Sequence, residues 1–320
     1  MLELLMLIIG FIIIIKSADL LVDCTTSLAI KSHLPKMLIA LTMVSFGTCA
    51  PEVAISFQSI SSQNGEIAFA NVVGSCIINV FLIIGLACIV RPIKVQHKTV
   101  KKELPILVLI TTCFSVLMLD SLFNPATPNE FSRADGVVLL LVFFIFVLYL
   151  FQLLRNKDEA LKKDNEISLK YKNPIIAFVL LFVSLILIIF SSDMIVNNAA
   201  ELAYKLNISE KLVTMVIIAI GTSLPEMITT YSSAKKGEFD IAIGNIIGTN
   251  IFNICIVLGL PIVLYGGIGL QSFSIIDIIV IFSSSIILYI FAKNDNVISK
   301  KEGWTMLAIF ITYYAYILLQ

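Results

Sequence analysis

Two glutamates embedded in apolar sequence are the residues of this chain best suited to chemistry. Glu52 ends the segment 47–52, GTCAPE, and Glu226 ends the segment 221–226, GTSLPE, 174 residues further on. A charge at the centre of a membrane-spanning helix costs about 2.5–3.5 kcal/mol on insertion scales, so it is rarely left without a counter-charge. The surrounding apolar sequence places no lysine or arginine at that depth. A bound cation is therefore the expected partner, and two carboxylates would balance one divalent ion.

Neutral oxygen donors accompany each glutamate at helical spacing. Thr48 lies four residues before Glu52, and Thr222 lies four residues before Glu226, so each pair shares one helix face. The next apolar segment of each copy adds polar side chains at positions i, i+4 and i+8, namely Asn71, Ser75 and Asn79, and then Asn245, Thr249 and Asn253. Ca2+ takes about six to eight oxygens of these kinds, whereas zinc and copper favour imidazole and thiolate ligands, which the motifs lack apart from Cys49.

A proline directly precedes each glutamate. Pro51 and Pro225 have no backbone N–H to donate to the carbonyl groups four residues earlier, at Gly47 and Gly221. We therefore expect a helix break beside each carboxylate, and the freed carbonyls would be further oxygen donors. A single glycine–proline pair would indicate only a kink. The duplication of the pair together with a carboxylate favours an ion site.

The elements that position these motifs are predicted to be membrane-spanning helices. The chain has 320 residues, of which 58% are hydrophobic and only 14% are charged, and its mean hydropathy is +1.00. A soluble protein of this size would carry far more charge, and the net charge of zero gives no indication of a nucleic-acid partner. Long apolar runs predict ten spans, at 2–31, 36–62, 66–90, 103–122, 133–154, 174–204, 210–234, 239–264, 273–292 and 302–319.

The basic residues predict the orientation of these spans. Eighteen of the 22 Lys and Arg residues fall in alternate connections, starting after the first span, and three fall on the opposite side. By the positive-inside rule, both termini are extracellular or periplasmic and the connector 155–172 is cytoplasmic, in a multi-pass protein of the plasma membrane. This connector divides the chain into a first repeat, 1–154, and a second repeat, 173–320. Five spans is an odd number, so the second repeat enters the membrane from the opposite side.

The predicted fold is therefore an all-α membrane protein with ten transmembrane helices in two inverted five-helix repeats. Broken helices 2 and 7, together with helices 3 and 8, are expected to form the core, and the long spans 1 and 6 are candidates for the moving elements. Two more repeat-related pairs lie outside the glutamate motifs. Asp19 and Asp193 are off the span centres, where structural hydrogen bonds are expected, and Gly74 and Gly248 are expected to allow close helix packing.

The paired motifs resemble the α-repeats of the cation/calcium antiporter superfamily, most closely those of prokaryotic sodium/calcium exchangers. The resemblance rests on GTxxPE followed by NxxG[ST]xxxN in each half, and it covers essentially the whole chain. It implies that Ca2+ binds between Glu52 and Glu226, helped by oxygens around Thr48 and Thr222. It also implies flanking Na+ sites and a central position, built by Ser45, Ser75, the carbonyl of Ala219, Ser223 and Thr249, with Asn79 and Asn253 at the centre.

Three positions depart from the pattern of that family. Cys49 stands where the first repeat usually has serine, and a thiol is a poorer Na+ ligand than a hydroxyl. Thr249 replaces the usual serine, which is a mild change. Asn253 stands where several relatives have aspartate, so a third carboxylate and proton acceptor is absent. This last departure favours Na+ over H+ or K+ as the coupling ion.

These features predict a secondary antiporter that extrudes Ca2+ by using the inward Na+ gradient, with Ca2+, Na+ and the lipid bilayer as its partners and no cofactor. H+/Ca2+ exchange is the alternative in the same class, because a mid-membrane glutamate can also carry protons. A cation channel is the alternative in another class, since paired glutamates can form a selectivity ring. No HExxH motif and no Ser/His pair supports an enzyme. The oligomeric state stays open, and a monomer is compatible with the sequence.

Overall fold

The computed structural model describes residues 2–119, 130–155, 170–205, 219–270 and 274–319. The helices in these ranges are α1 (Leu2–Lys31), α2 (Lys36–Thr48), α3 (Ala50–Ser61), α4 (Gly65–Val90), α5 (His97–Lys101), α6 (Glu103–Leu117), α7 (Arg133–Arg155), α8 (Pro174–Lys205), α9 (Ala219–Thr222), α10 (Leu224–Lys236), α11 (Phe239–Tyr265), α12 (Ile275–Lys293) and α13 (Lys300–Leu319). The short strands are β1 (Ile93–Lys94), β2 (Glu130–Phe131), β3 (Ile268–Gly269) and β4 (Val297–Ile298).

Seven of the described helices are individually long and apolar enough to cross a membrane: α1, α4, α7, α8, α11, α12 and α13. The pair α2 and α3 passes the same criterion together, with a bend of 50° between its two parts, so the number rises to eight if the pair is one span. The chain is therefore a helical, multi-pass membrane protein.

Three of the predicted spans extend beyond the described residues, and the one expected at 273–292 does so by a single residue. The span expected at 103–122 begins as α6, which has 15 residues, and 120–129 lie outside the description. The span expected at 210–234 includes α9 and α10, but its first part lies within residues 206–218, which are not among the described residues. The connector 155–172 is described only at its ends. The total of ten spans therefore stays a prediction.

The prolines mark interruptions in two helices. A break separates α2 from α3, and Pro51 lies in the first turn of α3. A similar break at Ser223 separates α9 from α10, and Pro225 lies in the first turn of α10. Proline is tolerated there because the first N–H groups of a helix have no intrahelical acceptor in any case. Each break places the glutamate that follows the proline in the first turn of a new helix.

The helices α4 and α11 form the centre of the molecule. The most apolar stretch of α4 is 78% buried and that of α11 is 83% buried, against 33% for α1 and 22% for α7. Both central helices contain a π-helical segment, Ile78–Ile84 in α4 and Asn253–Leu258 in α11. Each segment begins at or next to the last asparagine of the motif. Such wide turns are rare and occur frequently at functional sites.

The two halves of the chain are joined at several places. β1 pairs antiparallel with β4, and β2 pairs antiparallel with β3, so each small sheet combines one connector from each half. α1 and α8 pack along each other through a buried apolar cluster that includes Ile14, Leu21, Leu185 and Ile188. Neither half therefore forms a separate body within the described residues.

Candidate cation site

Glu52 and Glu226 are fully buried in the first turns of α3 and α10. The two carboxylates are near enough to interact electrostatically. The partial positive charge at a helix N-terminus stabilises an anion by about 0.3–1 kcal/mol at exposed sites. That is less than the cost of placing a charge at mid-membrane. The helix ends alone therefore do not compensate two buried carboxylates.

Most of the carboxylate oxygens at the site lack a hydrogen-bond donor. Ser75 Oγ donates to Glu52 Oε1 over 3.4 Å. By hydrogen-bond distance and angle, Glu52 Oε2 and both oxygens of Glu226 have no partner among the described residues, although the Thr48 hydroxyl lies close enough to Glu226 to interact with it. None of the ion pairs among the described residues involves Glu52 or Glu226. Because an uncompensated buried anion is unstable, the geometry calls for a cation or a proton here.

Hydroxyl groups from the two halves are interleaved around the carboxylates. The Thr48 hydroxyl of the first half lies near the Glu226 carboxylate of the second. Ser223 Oγ of the second half donates to Ser75 Oγ of the first over 3.5 Å, and Ser75 in turn contacts Glu52. Five of the residues predicted from the two motifs are thus brought into one buried cluster.

Two predicted residues on α2 are held against α11. Thr48 Oγ1 lies 3.4 Å from Asn245 Oδ1. Ser45 Oγ lies 3.0 Å from the carbonyl oxygen of Asn245 and 2.7 Å from that of Ala40. Both side chains are completely buried. Their positions therefore depend on how closely α2 approaches α11.

The remaining predicted ligands differ in how they are placed. Cys49 is buried, and its Sγ lies 4.0 Å from the carbonyl oxygen of Thr249, whose own hydroxyl has no partner among the described residues. Thr222 is half-buried at the end of α9. Ala219 is the first residue of α9, and only its backbone is described.

The two central asparagines have different surroundings. Asn79 Nδ2 donates to Asn250 Oδ1 over 2.9 Å, while Asn79 Oδ1 has no donor in the described part of the chain. Asn253 is also completely buried, and neither its oxygen nor its nitrogen has a described partner. Both amides therefore offer a buried oxygen that the protein itself leaves unsatisfied.

A cavity of about 400 Å3 lies between α3 and α8 and extends to both helix breaks. Its lining includes Pro51 and Thr222, which belong to the two glutamate motifs, and Asp193 and Asn197 of α8. Asp193 is exposed. The cavity therefore forms a partly polar approach to the buried cluster from one side.

Several residues outside the ligand set implied by the family resemblance support the site. Asn245 contacts Thr48, and its Nδ2 donates to Thr230 Oγ1 over 3.1 Å. Ser192 Oγ of α8 donates over 3.1 Å to the Gly221 carbonyl, which Pro225 leaves without its helical donor. Asn250 holds Asn79. Its signal in the sequence is an asparagine at the motif position where the first repeat has Cys76.

Comparison with known proteins agrees with this geometry. The family model described as sodium/calcium exchanger protein matches residues 2–152 and 176–319. The chain is 37% identical to inner membrane protein YrbG of Escherichia coli, over 82% of this chain and 80% of that protein. It is 27% identical to the sodium/calcium exchanger MaX1 of Methanosarcina acetivorans, over 97% of this chain and 96% of that protein.

Among solved structures, the fold is similar to the sodium-calcium exchanger NCX_Mj soaked with 2.5 mM Na+ and 0.1 mM Ca2+. The TM-score is 0.82 at 28% sequence identity, and the match covers 98% of each chain. The family match spans both halves of the chain and therefore both glutamate motifs. The chain belongs to the sodium/calcium exchanger family, and it is a membrane antiporter of Ca2+ and another cation rather than an enzyme.

Proposed function

We propose that the protein extrudes Ca2+ from the cytoplasm in exchange for Na+, with Glu52 and Glu226 as the carboxylate ligands shared by both ions. The observation that carries the proposal is the buried pair of carboxylates, in which three of the four oxygens lack a described hydrogen-bond donor. Neutral oxygens and one sulfur would complete the ion sites, from Thr48, Thr222, Ser45, Cys49, Ser75, the Ala219 carbonyl, Ser223, Thr249, Asn79 and Asn253.

Charge balance gives a physical reason for exchange. Moving two bare carboxylates past a dry gate would be unfavourable, so only ion-loaded forms interconvert readily. In this mechanism Na+ and Ca2+ compete for the same oxygens. The cluster supplies them from both halves of the chain, since Ser75 contacts both Glu52 and Ser223, and Thr48 lies near Glu226. Filling the cluster with one ion therefore expels the other.

The proposed coupling ion is Na+ and not H+. Asn253 is uncharged at the centre of the site, so it does not act as a proton acceptor there. MaX1, which aligns with 97% of the chain at 27% identity, and NCX_Mj, which has a similar fold, are both named as sodium/calcium exchangers. The alternative of H+/Ca2+ exchange keeps the two glutamates and replaces the Na+ sites, and transport measurements separate the two directly.

The proposed architecture has ten spans in two inverted repeats, 1–154 and 173–320, around a cytoplasmic connector at 155–172. It is supported by the family match, which falls into two blocks and leaves 153–175 unmatched. The paired connectors also support it. The sheet formed by β1 and β4 is flanked by many lysines, whereas the connectors around β2 and β3 contain almost none. We assign the lysine-rich side to the cytoplasm of a plasma-membrane protein.

Alternating access is proposed to arise from movement of α1 and α8 against the central helices. In this conformation α1 is bound to α10, because Ser232 Oγ donates to Asp19 Oδ1 over 2.6 Å and Lys236 pairs with Asp23 at 2.6 Å. The repeat-related helix α8 is instead separated from α3 by the cavity. The arrangement is therefore closed on one side of the site and open on the other.

The test is uptake of radiolabelled Ca2+ into proteoliposomes that contain Na+ and are diluted into Na+-free buffer. A parallel set carries a pH gradient without Na+. We expect uptake to depend on internal Na+ and to fall to background in Glu226→Gln, because one of the two compensating charges is removed.

Each outcome of this test has one meaning. Uptake driven only by the pH gradient would replace Na+ by H+ and remove the proposed Na+ ligands around Ser223 and Ser75. Full activity in Glu226→Gln would overturn the site. Single-channel currents from the reconstituted protein would favour the channel instead.

A further inference from the structure

We infer that Asn250 is a positioning residue, which fixes the amide of Asn79 so that Asn79 Oδ1 is presented to the transported cation. The inference rests on the proposed function, because Asn79 is an ion ligand there. Asn250 is not part of the proposed ligand set. Its side chain acts through two hydrogen bonds that connect α11 with α4.

A backbone carbonyl sets the direction of the Asn250 amide. Asn250 Nδ2 donates to the carbonyl oxygen of Cys76 on α4 over 3.4 Å. A carbonyl oxygen can only accept a hydrogen bond, so the amide nitrogen of Asn250 has to face it. The amide oxygen of Asn250 consequently points the other way, toward Asn79.

The direction of Asn250 then determines the direction of Asn79. Asn250 Oδ1 accepts from Asn79 Nδ2 over 2.9 Å, and an amide oxygen can only accept. Asn79 therefore presents its nitrogen to Asn250 and turns its oxygen away from it. That oxygen is buried without a described donor. A bound cation would satisfy it, whereas a reversed amide would offer N–H groups to the cation.

The second repeat lacks this device. With the offset of 174 residues, Asn253 corresponds to Asn79, and Cys76 corresponds to Asn250. A thiol has no amide oxygen with which to orient Asn253, and both polar atoms of Asn253 lack a partner in the described chain. One motif position therefore makes the first central amide a fixed oxygen donor and leaves the second free to turn.

The experiment compares the wild type, Asn250→Leu and Asn198→Leu in the Na+-driven Ca2+ uptake assay. Leucine has the same number and branching of side-chain heavy atoms as asparagine but no polar atoms, and it is larger, so its effect on packing is tested separately below. Asn198, which is half-buried, is the control, because among the described residues its amide bonds only within its own helix, to the Met194 carbonyl at 2.7 Å. We expect Asn250→Leu to raise the apparent KM for Ca2+ about fivefold, the effect of losing one well-placed oxygen, with the maximal rate changed less than about twofold. Asn198→Leu should keep the wild-type KM.

A second background separates positioning from packing. In Asn79→Ala there is no amide to orient, so adding Asn250→Leu should no longer change Ca2+ affinity. The Asn79→Ala protein and the Asn79→Ala protein that also carries Asn250→Leu are compared by Ca2+-dependent thermal stabilisation of purified protein, which does not require transport. Asn250→Ser, whose hydroxyl is too short to reach Asn79, repeats the comparison if the leucine variant does not fold.

The outcomes are distinct. An affinity loss that disappears in the Asn79→Ala background supports the inference. An equal loss in both backgrounds would assign Asn250 to helix packing, and an unchanged KM in Asn250→Leu would overturn the inference while Na+/Ca2+ exchange stands. If the wild type shows no Na+-driven uptake, the proposed function fails, and the binding comparison still tests the Asn250–Asn79 coupling.

Discussion

Cys49 gives the first half of the molecule a softer donor than the second half has at the repeat-related position, Ser223. The Cys49 side chain is completely buried, and its Sγ lies 4.0 Å from the Thr249 carbonyl oxygen. Hard cations such as Na+ prefer oxygen ligands, whereas thiol groups suit softer metals. The two halves therefore bind Na+ unequally in the proposed mechanism.

Replacing this thiol by a hydroxyl should strengthen Na+ binding. We expect Cys49→Ser to lower the Na+ concentration for half-maximal exchange about fivefold, which corresponds to about 1 kcal/mol from one added oxygen ligand. Ser223→Cys is the matched control and should shift the Na+ dependence in the opposite direction. The measurement is the Na+ dependence of Ca2+ efflux from proteoliposomes. Identical Na+ curves for all three proteins would remove Cys49 from the Na+ site.

At this scale the sequence predicted which residues lie together better than it predicted their hydrogen bonds. The repeat offset and the i, i+4 spacing identified Glu52, Glu226 and their hydroxyl neighbours, and the structure places these residues in one cluster. The support from Asn250 was not predictable, because its contact with Asn79 joins residues that are 171 positions apart. Such a contact depends on how α4 packs against α11, which periodicity does not reveal.

Gly248 shows how one helix contact positions several predicted ligands. A Cβ atom at Gly248 would lie 2.8 Å from Ser45 Cβ and 3.0 Å from Leu41 Cα, so α11 and α2 touch through their backbones there. At Gly74, its counterpart in the first repeat, an added Cβ atom would meet no described atom within 4 Å. The expectation of close packing is therefore met at Gly248 and not at Gly74. The two glycines occupy equivalent places in the sequence and different places in the packing.

This difference predicts unequal effects of the same substitution. We expect Gly248→Ala to reduce stability by about 1–3 kcal/mol, the usual range for overpacking, and to weaken Ca2+ transport because Ser45 and Thr48 move with α2. Gly74→Ala should leave both properties close to those of the wild type. Thermal unfolding of purified protein and Ca2+ uptake are the measurements. Equal losses in both variants would contradict the packing described here.

The elements themselves followed well from the sequence. Apolar runs located the described spans, and the prolines located both breaks. The π-helical segments and the pairing of β1 with β4 were not predicted, since both depend on packing between distant parts of the chain. The hydrophobic pattern also does not predict which of two repeat-related helix contacts is formed in a given conformation.

At the scale of the whole molecule, one pair of repeat-related contacts between helices departs from the symmetry of the sequence. Asp19 of α1 accepts a hydrogen bond from Ser232 of α10, whereas Asp193 of α8, which corresponds to Asp19, lines the cavity. The residue that corresponds to Ser232 is Gln58 of α3. If the two repeats exchange conformations during transport, Asp193 approaches Gln58 in the other state while Asp19 leaves Ser232. Equivalent sequence positions would then serve as alternate closing contacts.

Two cysteine pairs test this exchange of roles. A short bifunctional thiol reagent should link Asp19→Cys to Ser232→Cys and stop transport in the conformation described here. The same reagent should link Asp193→Cys to Gln58→Cys only while the protein cycles, and it should trap the opposite state. The wild type, whose native cysteines are mostly buried, is the reagent control.

The trapped states are distinguished by labelling Asn197→Cys, introduced on the lining of the cavity. We expect an impermeant thiol reagent to modify this position when the first pair is linked and to be excluded when the second pair is linked. The reason is that closing α8 against α3 removes the space between them. If both linked forms label equally, the cavity is not an access route and α8 does not close it. If the second pair never links in actively transporting protein, the repeats do not exchange conformations, and movement of α1 alone would have to open the closed side.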